Sequence, residues 1–296
     1  MTKSQLDIGY WKLIGNYWYL LEIGICEVNE VGEDMFIIGE LINGMYQNIA
    51  KAIKEKDKAV IQKCALEQIK SGADALDVNC GPASKQPVSD IQWLVQTIQE
   101  VTDKPLALDS SKPQVIEAGL KVAKNKVLIN STTADADKLD ILAPMAKEYN
   151  AKLIGLTISS KGIPQNKDQR LELAAIIVAA CVDKGFPVED LYLDPIVLPV
   201  NVAQAQMKDI LESIREFKII SEPSPKTIVG LSNVSQGTSV RSLVNRTFLV
   251  MALSFGLDAA ILDPLDKELM DAAITSELIL NKHIYCDSYL QAYRKK

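Results

Sequence analysis

The chain has 296 residues, 48% of them hydrophobic and 24% charged, with a formal net charge of -6. That size suits one large or two small globular domains, with enough core to need no disulfide or structural metal. The acidic balance excludes a phosphate-tracking nucleic-acid surface, and a single histidine, His283, excludes two-imidazole mechanisms and a zinc or other transition-metal site.

Residues 1–34 differ from the rest. The stretch IGYWKLIGNYWYLLEIGIC (8–26) is rich in tryptophan and tyrosine, but Lys12, Asn16 and Glu22 interrupt a run already too short to cross a membrane. No small-residue cleavage site follows, so it does not read as a signal peptide. The segment EVNEVGED (27–34) has the purine-heavy codons of a ribosome-binding region. Met35 is therefore expected as the natural start, with 1–34 an extension and 35–296 the folded domain. The five cysteines (Cys26, Cys64, Cys80, Cys181, Cys286) are scattered without a C-x-x-C pair, the pattern of reduced thiols in a cytoplasmic protein.

From Met35 onward short apolar runs alternate with longer amphipathic ones. The runs are FIIGE (36–40), ALDVNC (75–80), PLALDS (105–110), VLINST (127–132), KLIGLT (152–157), LYLDPI (191–196), TIVGLS (227–232) and AAILDP (259–264). They are continuously apolar, as parallel strands buried on both faces must be. Between them, segments such as 57–72 and 89–101 place apolar residues three and four apart, with Asp57, Ser89 and Asp137 as expected N-caps. Eight such units predict an α/β fold, a single-domain (β/α)8 TIM barrel. An open doubly wound sheet should carry a Gly-rich phosphate turn after its first strand, and GELINGMYQN (39–48) has none.

Polar residues close almost every run: Glu40 and Asn43, Asp77 and Asn79, Asp109 and Ser110, Asn130, Asp194, Asn233, and Asp263. Any one can simply cap a helix or close a turn. Recurrence on seven of eight strands favours a shared polar ligand at the carboxyl-terminal mouth of the barrel. The ring is acid and amide, without a basic phosphate clamp or metal ligands. It suits a flat neutral heterocycle whose N–H groups a carboxylate can accept in pairs. Trp93 is expected in the core, Cys80 on the pocket wall, and His283 at a surface or interface.

The motifs GELING (39–44), GADALDVNCGP (72–82), LDSS (108–111), INST (129–132), LYLDPIVLP (191–199), VGLSNVSQG (229–237), NRTFL (245–249) and GLDAAILDP (256–264) resemble the pterin-binding TIM-barrel family. The likeness is greatest to its methyltetrahydrofolate:corrinoid/iron-sulfur protein methyltransferases of the acetyl-CoA pathway. It covers essentially all of 35–296, and INGM (42–45), GLSNVSQ (230–236) and YCDS (285–288) are specific to that branch. The resemblance implies a pterin across the mouth, with Asp109, Asn130 and Asp194 on its aminopyrimidinone edge and Asn233 at the methyl-bearing N5. Asp77 belongs to the same polar floor, Gly230 and Ser232 lie close to the ring, and Gln236 and Arg241 serve the pterin tail or the loop itself. Asn233 and Asp109 are the expected catalytic residues, with Asp77 and trapped water as a proton relay. Methyltetrahydrofolate is then a substrate and no cofactor is held covalently. Cobalt arrives as a corrinoid on a partner protein, and the enzyme is a cytoplasmic homodimer of one-carbon metabolism, with residues 241–255 and 285–296 candidates for its interface.

Three other readings compete. A folate-linked methyltransferase serving another corrinoid protein, as in O-demethylase or methionine-synthase-like systems, would share the chemistry. Dihydropteroate synthase shares the fold, but its seventh-strand loop carries basic residues where this chain has LSNVSQ, and its Thr-Pro-Asp-Ser-Phe signature is missing here. A non-catalytic pterin-binding protein would need no intact set of Asp109, Asn130, Asp194 and Asn233.

Overall fold

The structure, a computed structural model, describes residues 34–283. All eight expected strands form: β1 (Phe36–Asn43), β2 (Ala75–Asn79), β3 (Leu106–Asp109), β4 (Val127–Thr133), β5 (Lys152–Leu156), β6 (Leu191–Asp194), β7 (Lys226–Gly230) and β8 (Ala259–Leu262). They are parallel and close in sequence order into a barrel, β8 pairing with β1. The helices are α1 (Gln47–Glu55), α2 (Lys58–Lys70), α3 (Pro87–Ile98), α4 (Pro113–Leu120), α5 (Ala136–Glu148), α6 (Lys167–Asp183), α7 (Val200–Ala203), α8 (Met207–Phe217), α9 (Arg241–Ser254) and α10 (Lys267–Ile279). This is the (β/α)8 barrel that the alternation predicts, in one domain. The expected extension 1–34 lies, apart from Asp34, outside the described residues, as does the motif at 285–288.

Side-chain parity places the site. Ile38, Ala75, Ala107, Leu128, Ile154, Tyr192, Ile228 and Ala259 form one buried cluster, a residue from each strand, and so fill the barrel interior. Residues two further along each strand share that inward face. They are Glu40, Asp77, Asp109, Asn130, Leu156, Asp194, Gly230 and Ile261. The intervening residues pack outward against the helices, as Leu76, Leu106 and Leu153 do with Ile91, Leu94 and Ile177.

Two pairings slip by a residue, between Gly39 and Ile42 in β1 and between Asn130 and Thr132 in β4. Such bulges re-aim side chains beside a site. The one in β1 is plugged by buried Gln68 of α2, whose Oε1 accepts the Leu41 N–H at 3.0 Å. A Cβ on Gly39 would meet that oxygen at 2.4 Å, so only glycine leaves it room.

Asp57 caps α2 as expected, accepting from the N–H groups of Ala59 and Val60. Ser89 does not cap α3. Pro87 occupies the first turn, its ring already set at a helical φ, and the cap position falls to Gln86. Asp137 likewise lies in the first turn of α5, where its charge meets the helix dipole; the cap position is Asp135. Trp93 is half-buried at the edge of the core, with the Lys56 ammonium 4.8 Å from its ring centroid. Cys80 faces away from the pocket. It follows β2 out of step with the inward-facing Ala75 and Asp77, and packs in the outer core with Sγ 3.9 Å from the Pro87 carbonyl. His283 is partly buried rather than on the surface, with Nε2 2.9 Å from Asp34 Oδ1, beside Glu277 at the end of the barrel opposite the mouth.

Candidate active site

The mouth is built on the inward layer. Asn130 Nδ2 donates to Asp77 Oδ1 at 2.9 Å in a buried bond, which leaves the Asn130 carbonyl oxygen to accept. Asn79 Nδ2 donates to Asp109 Oδ2 at 2.6 Å, while its Oδ1 accepts the Gly81 N–H at 2.6 Å and so fixes the amide. Asp194 accepts from the N–H of Ile196 at 2.7 Å and from that of Gly230. Leu156, Gly230 and Ile261 complete the layer without polar groups. The acids and amides therefore form an arc over β1–β6, broken at β5 by Leu156, and β7 and β8 are bare.

Burial drives the electrostatics. Desolvation holds the Asp77 carboxyl well above the usual range, Asp109 and Glu40 add repulsion, and the Asn130 amide opposes them. Asp109 is raised by desolvation against the Asn79 hydrogen bond. Two neighbouring carboxyls in one dry site oppose each other's ionisation, so the pair holds its last proton more tightly than an isolated carboxyl would. Asp194 is pushed up to about 6 by burial, against its two backbone donors. Glu40 is raised by burial, countered by the Ser232 hydroxyl.

The segment after β7 forms a short 3-10 turn, Leu231–Asn233. Asn233 is exposed and its amide makes no hydrogen bond among the described residues. A Cβ on Gly230 would lie 3.0 Å from Asn233 Nδ2, so the bare glycine lets the amide lie across the mouth. Arg241 opens α9 and turns back into this loop, donating from Nε to Ser235 Oγ (3.1 Å) and from Nη2 to the Ser232 carbonyl (3.3 Å). Of the two roles expected for it, the loop's own structure is the one these bonds make. Gln236 is exposed, its backbone N–H bonded to the Asn233 carbonyl at 3.2 Å.

Not every strand-end polar group belongs to the ring. Asn43 Oδ1 accepts the Met45 N–H, Ser110 Oγ that of Lys112, and Asp263 Oδ1 that of Leu265, so each closes a turn. Conversely, three contributors are not among the expected site residues, although Asn79 stands among the strand-end polar groups. Asn79 orients Asp109 from the neighbouring strand. Ile196, next but one to Asp194, sits at φ 64, a conformation that strains a β-branched residue. Arg170, fully buried in α6, donates to the carbonyls of Pro195 (2.8 Å) and Asn166 (3.1 Å) and to Gln206 Oε1 (2.9 Å), pinning the strained segment. Arg170→Ala strands one buried and two part-buried acceptors and should cost roughly 2–4 kcal/mol of stability in urea unfolding; a loss under ~1 kcal/mol would show that the segment holds itself.

A family model described as "Pterin binding enzyme" matches residues 45–263, most of the chain and every strand after the first. The chain belongs to the pterin-binding enzymes. Relatives place it in their methyltransferase branch. It is 30% identical over 266 residues to the methylcorrinoid:tetrahydrofolate methyltransferase of Eubacterium limosum, covering 88% of this chain and 97% of that one. It is 28% identical over 243 residues to methionine synthase of Mycobacterium tuberculosis, of which it spans only 20%. Among solved structures, dihydropteroate synthases from Coxiella burnetii (TM-score 0.64, 15% identity, 84% of this chain and 94% of that one) and Xanthomonas albilineans (TM-score 0.61, 14% identity, 84% and 93%) share the fold. No helix among the described residues is long and apolar enough to cross a membrane.

Proposed function

We propose that this pterin-binding methyltransferase moves the N5-methyl group of methyltetrahydrofolate to the Co(I) centre of a corrinoid carried by a corrinoid/iron-sulfur protein, in the acetyl-CoA pathway. The observation that carries this reading is Asn233, an exposed amide with no side-chain hydrogen bond among the described residues, set over bare Gly230 at a mouth lined by carboxyls that burial holds above their usual range. Asp109, Asn130 and Asp194 accept the ring N–H and exocyclic amine of the aminopyrimidinone, with Asp77 as the floor beneath and Ser232 and Gln236 along the β7 side.

The chemistry needs little more than placement and a proton. Cobalt(I) supplies the electron pair of the new Co–C bond. The C–N5 bond breaks with its pair left on N5, and a proton on N5 spares the pterin an anionic leaving group. The Asn233 amide stabilises that protonated nitrogen, and the Asp77–Asp109 pair, through water, is the proton reservoir. The metal enters and leaves with the partner; the chain's own task is to hold the pterin dry and aligned.

Identity to a relative named for methylcorrinoid and tetrahydrofolate over 97% of its length favours a second reading, in which the corrinoid protein is not the iron-sulfur one. Both are tested by offering methyltetrahydrofolate and a panel of reduced corrinoid proteins and following the methylcobalt spectrum. Fastest methylation of the corrinoid/iron-sulfur protein is expected; fastest methylation of another shifts the assignment to it, and none sinks both. The enzyme is proposed to be a cytoplasmic homodimer. Support for the dimer is a stripe on α9, where Leu243, Val250 and Met251 are exposed at helical spacing.

A further inference from the structure

Glu40 is the one acid of the inward layer with no part in holding the pterin as described above. It stands on β1 at the bulge that Gln68 plugs, two residues on from Ile38 and so on the same inward face. From there it reaches across β8 to the loop after β7, where Ser232 Oγ donates to Glu40 Oε1 at 2.7 Å. Ser232 directly precedes Asn233. Its carbonyl is meanwhile held from the other side by Arg241 at 3.3 Å and by the hydroxyl of buried Ser235 at 3.3 Å. The turn that presents Asn233 is thus clamped at one residue from two directions, its carbonyl outward by α9 and its side chain inward by β1.

We propose that Glu40 is a positioning residue for methyl transfer: by accepting the Ser232 hydroxyl it sets the turn that carries the Asn233 amide to N5. The inference rests on the function proposed above. A short 3-10 turn of three residues has little rigidity of its own, and the Asn233 amide, without a side-chain partner among the described residues, takes its place from its backbone. Displacement of a reacting group by about 1 Å from a remote change can cost on the order of 100-fold in rate. Glu40 acts on the turn through its oxygen as an acceptor, so an uncharged acceptor of the same shape should serve nearly as well.

The test compares Glu40→Ala, Glu40→Gln and Ser232→Ala in the full chain. Steady-state transfer from methyltetrahydrofolate to a reduced corrinoid protein is read alongside the side-chain amide NMR signals of Asn233 in the ligand-free protein. Glu40→Ala and Ser232→Ala should lower kcat by about 10- to 100-fold with KM within about threefold, and both should shift or broaden the Asn233 amide pair. Glu40→Gln should return kcat to within about threefold of the parent and restore the signals. A parent-like Asn233 signal and kcat in Glu40→Ala would overturn the proposal, and so would a Glu40→Gln variant as impaired as Glu40→Ala. Should Glu40→Ala fail to fold, Ser232→Ala removes the same bond from its donor side. If the parent methylates no corrinoid, the proposed function fails, while the Asn233 signals still decide whether Glu40 sets the turn.

Discussion

Replacing Asn233 by alanine should lower kcat for methyl transfer by about two to three orders of magnitude, the usual loss when one preorganised hydrogen-bonding group is removed from developing charge. Affinity for methyltetrahydrofolate should stay within about threefold, because the aminopyrimidinone edge is held by other residues, Asp109, Asn130 and Asp194. Asn233 is exposed and its side chain makes no hydrogen bond among the described residues, so unfolding stability should move by less than about 0.5 kcal/mol. The acid limb of the rate profile should also change, since the amide no longer favours the protonated N5. Single-turnover transfer followed at the cobalt absorption checks all of this. A variant with parent-like kcat and pH profile would remove Asn233 from the mechanism and leave the carboxyl pair to act alone.

Asp194→Asn should make the ligand-free protein more stable and the binding site worse. Burial pushes the Asp194 carboxyl up to about 6, above the ordinary value near 3.9 it has in the unfolded chain. Its stability contribution is therefore fully present below about pH 4 and is lost as pH rises through about 6. At pH 8 the native protein carries a buried anion that the variant lacks, and the variant should gain about 2–3 kcal/mol there, a gain that fades on acidification. Binding runs the other way. The variant's amide turns an NH2 toward the pterin's own donors, and loss of a charged acceptor from a buried pair weakens affinity by on the order of 100-fold. The parent should itself bind methyltetrahydrofolate up to tenfold more weakly for each pH unit below about 6, and the variant should lose that dependence. Thermal unfolding and ligand titration from pH 5 to 8 measure both effects. A variant that is less stable at pH 8 would mean that the Ile196 and Gly230 donors outweigh desolvation. Such a pair of opposed effects is what a site strained for function predicts.

The barrel was legible because each strand is buried on both faces, inside by its neighbours' side chains and outside by helices. Continuous apolar runs at regular intervals leave few other folds. The polar mouth was legible for a related reason: a carboxylate ending such a run must either meet a ligand or close a turn. Telling those apart needed parity. Asp77, Asp109, Asn130 and Asp194 lie two residues on from the interior cluster, whereas Ser110 is out of step with it and Asn43 and Asp263 lie further along their strands. A bond to the backbone two residues on does not separate them, since Asp194 makes one as well as Asn43, Ser110 and Asp263. Caps were less legible, as Ser89 shows. A proline two residues earlier already starts the helix, and local rules do not rank the two signals.

By itself the sequence determined the fold class, the end of the barrel that holds the site and most residues of the acid arc, because these follow from local periodicity and from motifs. The tertiary structure alone decided how those residues are aimed and charged. The pairs Asn130–Asp77, Asn79–Asp109 and Ser232–Glu40 join residues 53, 30 and 192 positions apart. Gln68 fills the bulge of β1, and Arg170 pins the turn after β6, each from a helix outside the barrel. The raised carboxyls belong to the same level, since desolvation depends on what closes around a group and no run of neighbouring letters records it.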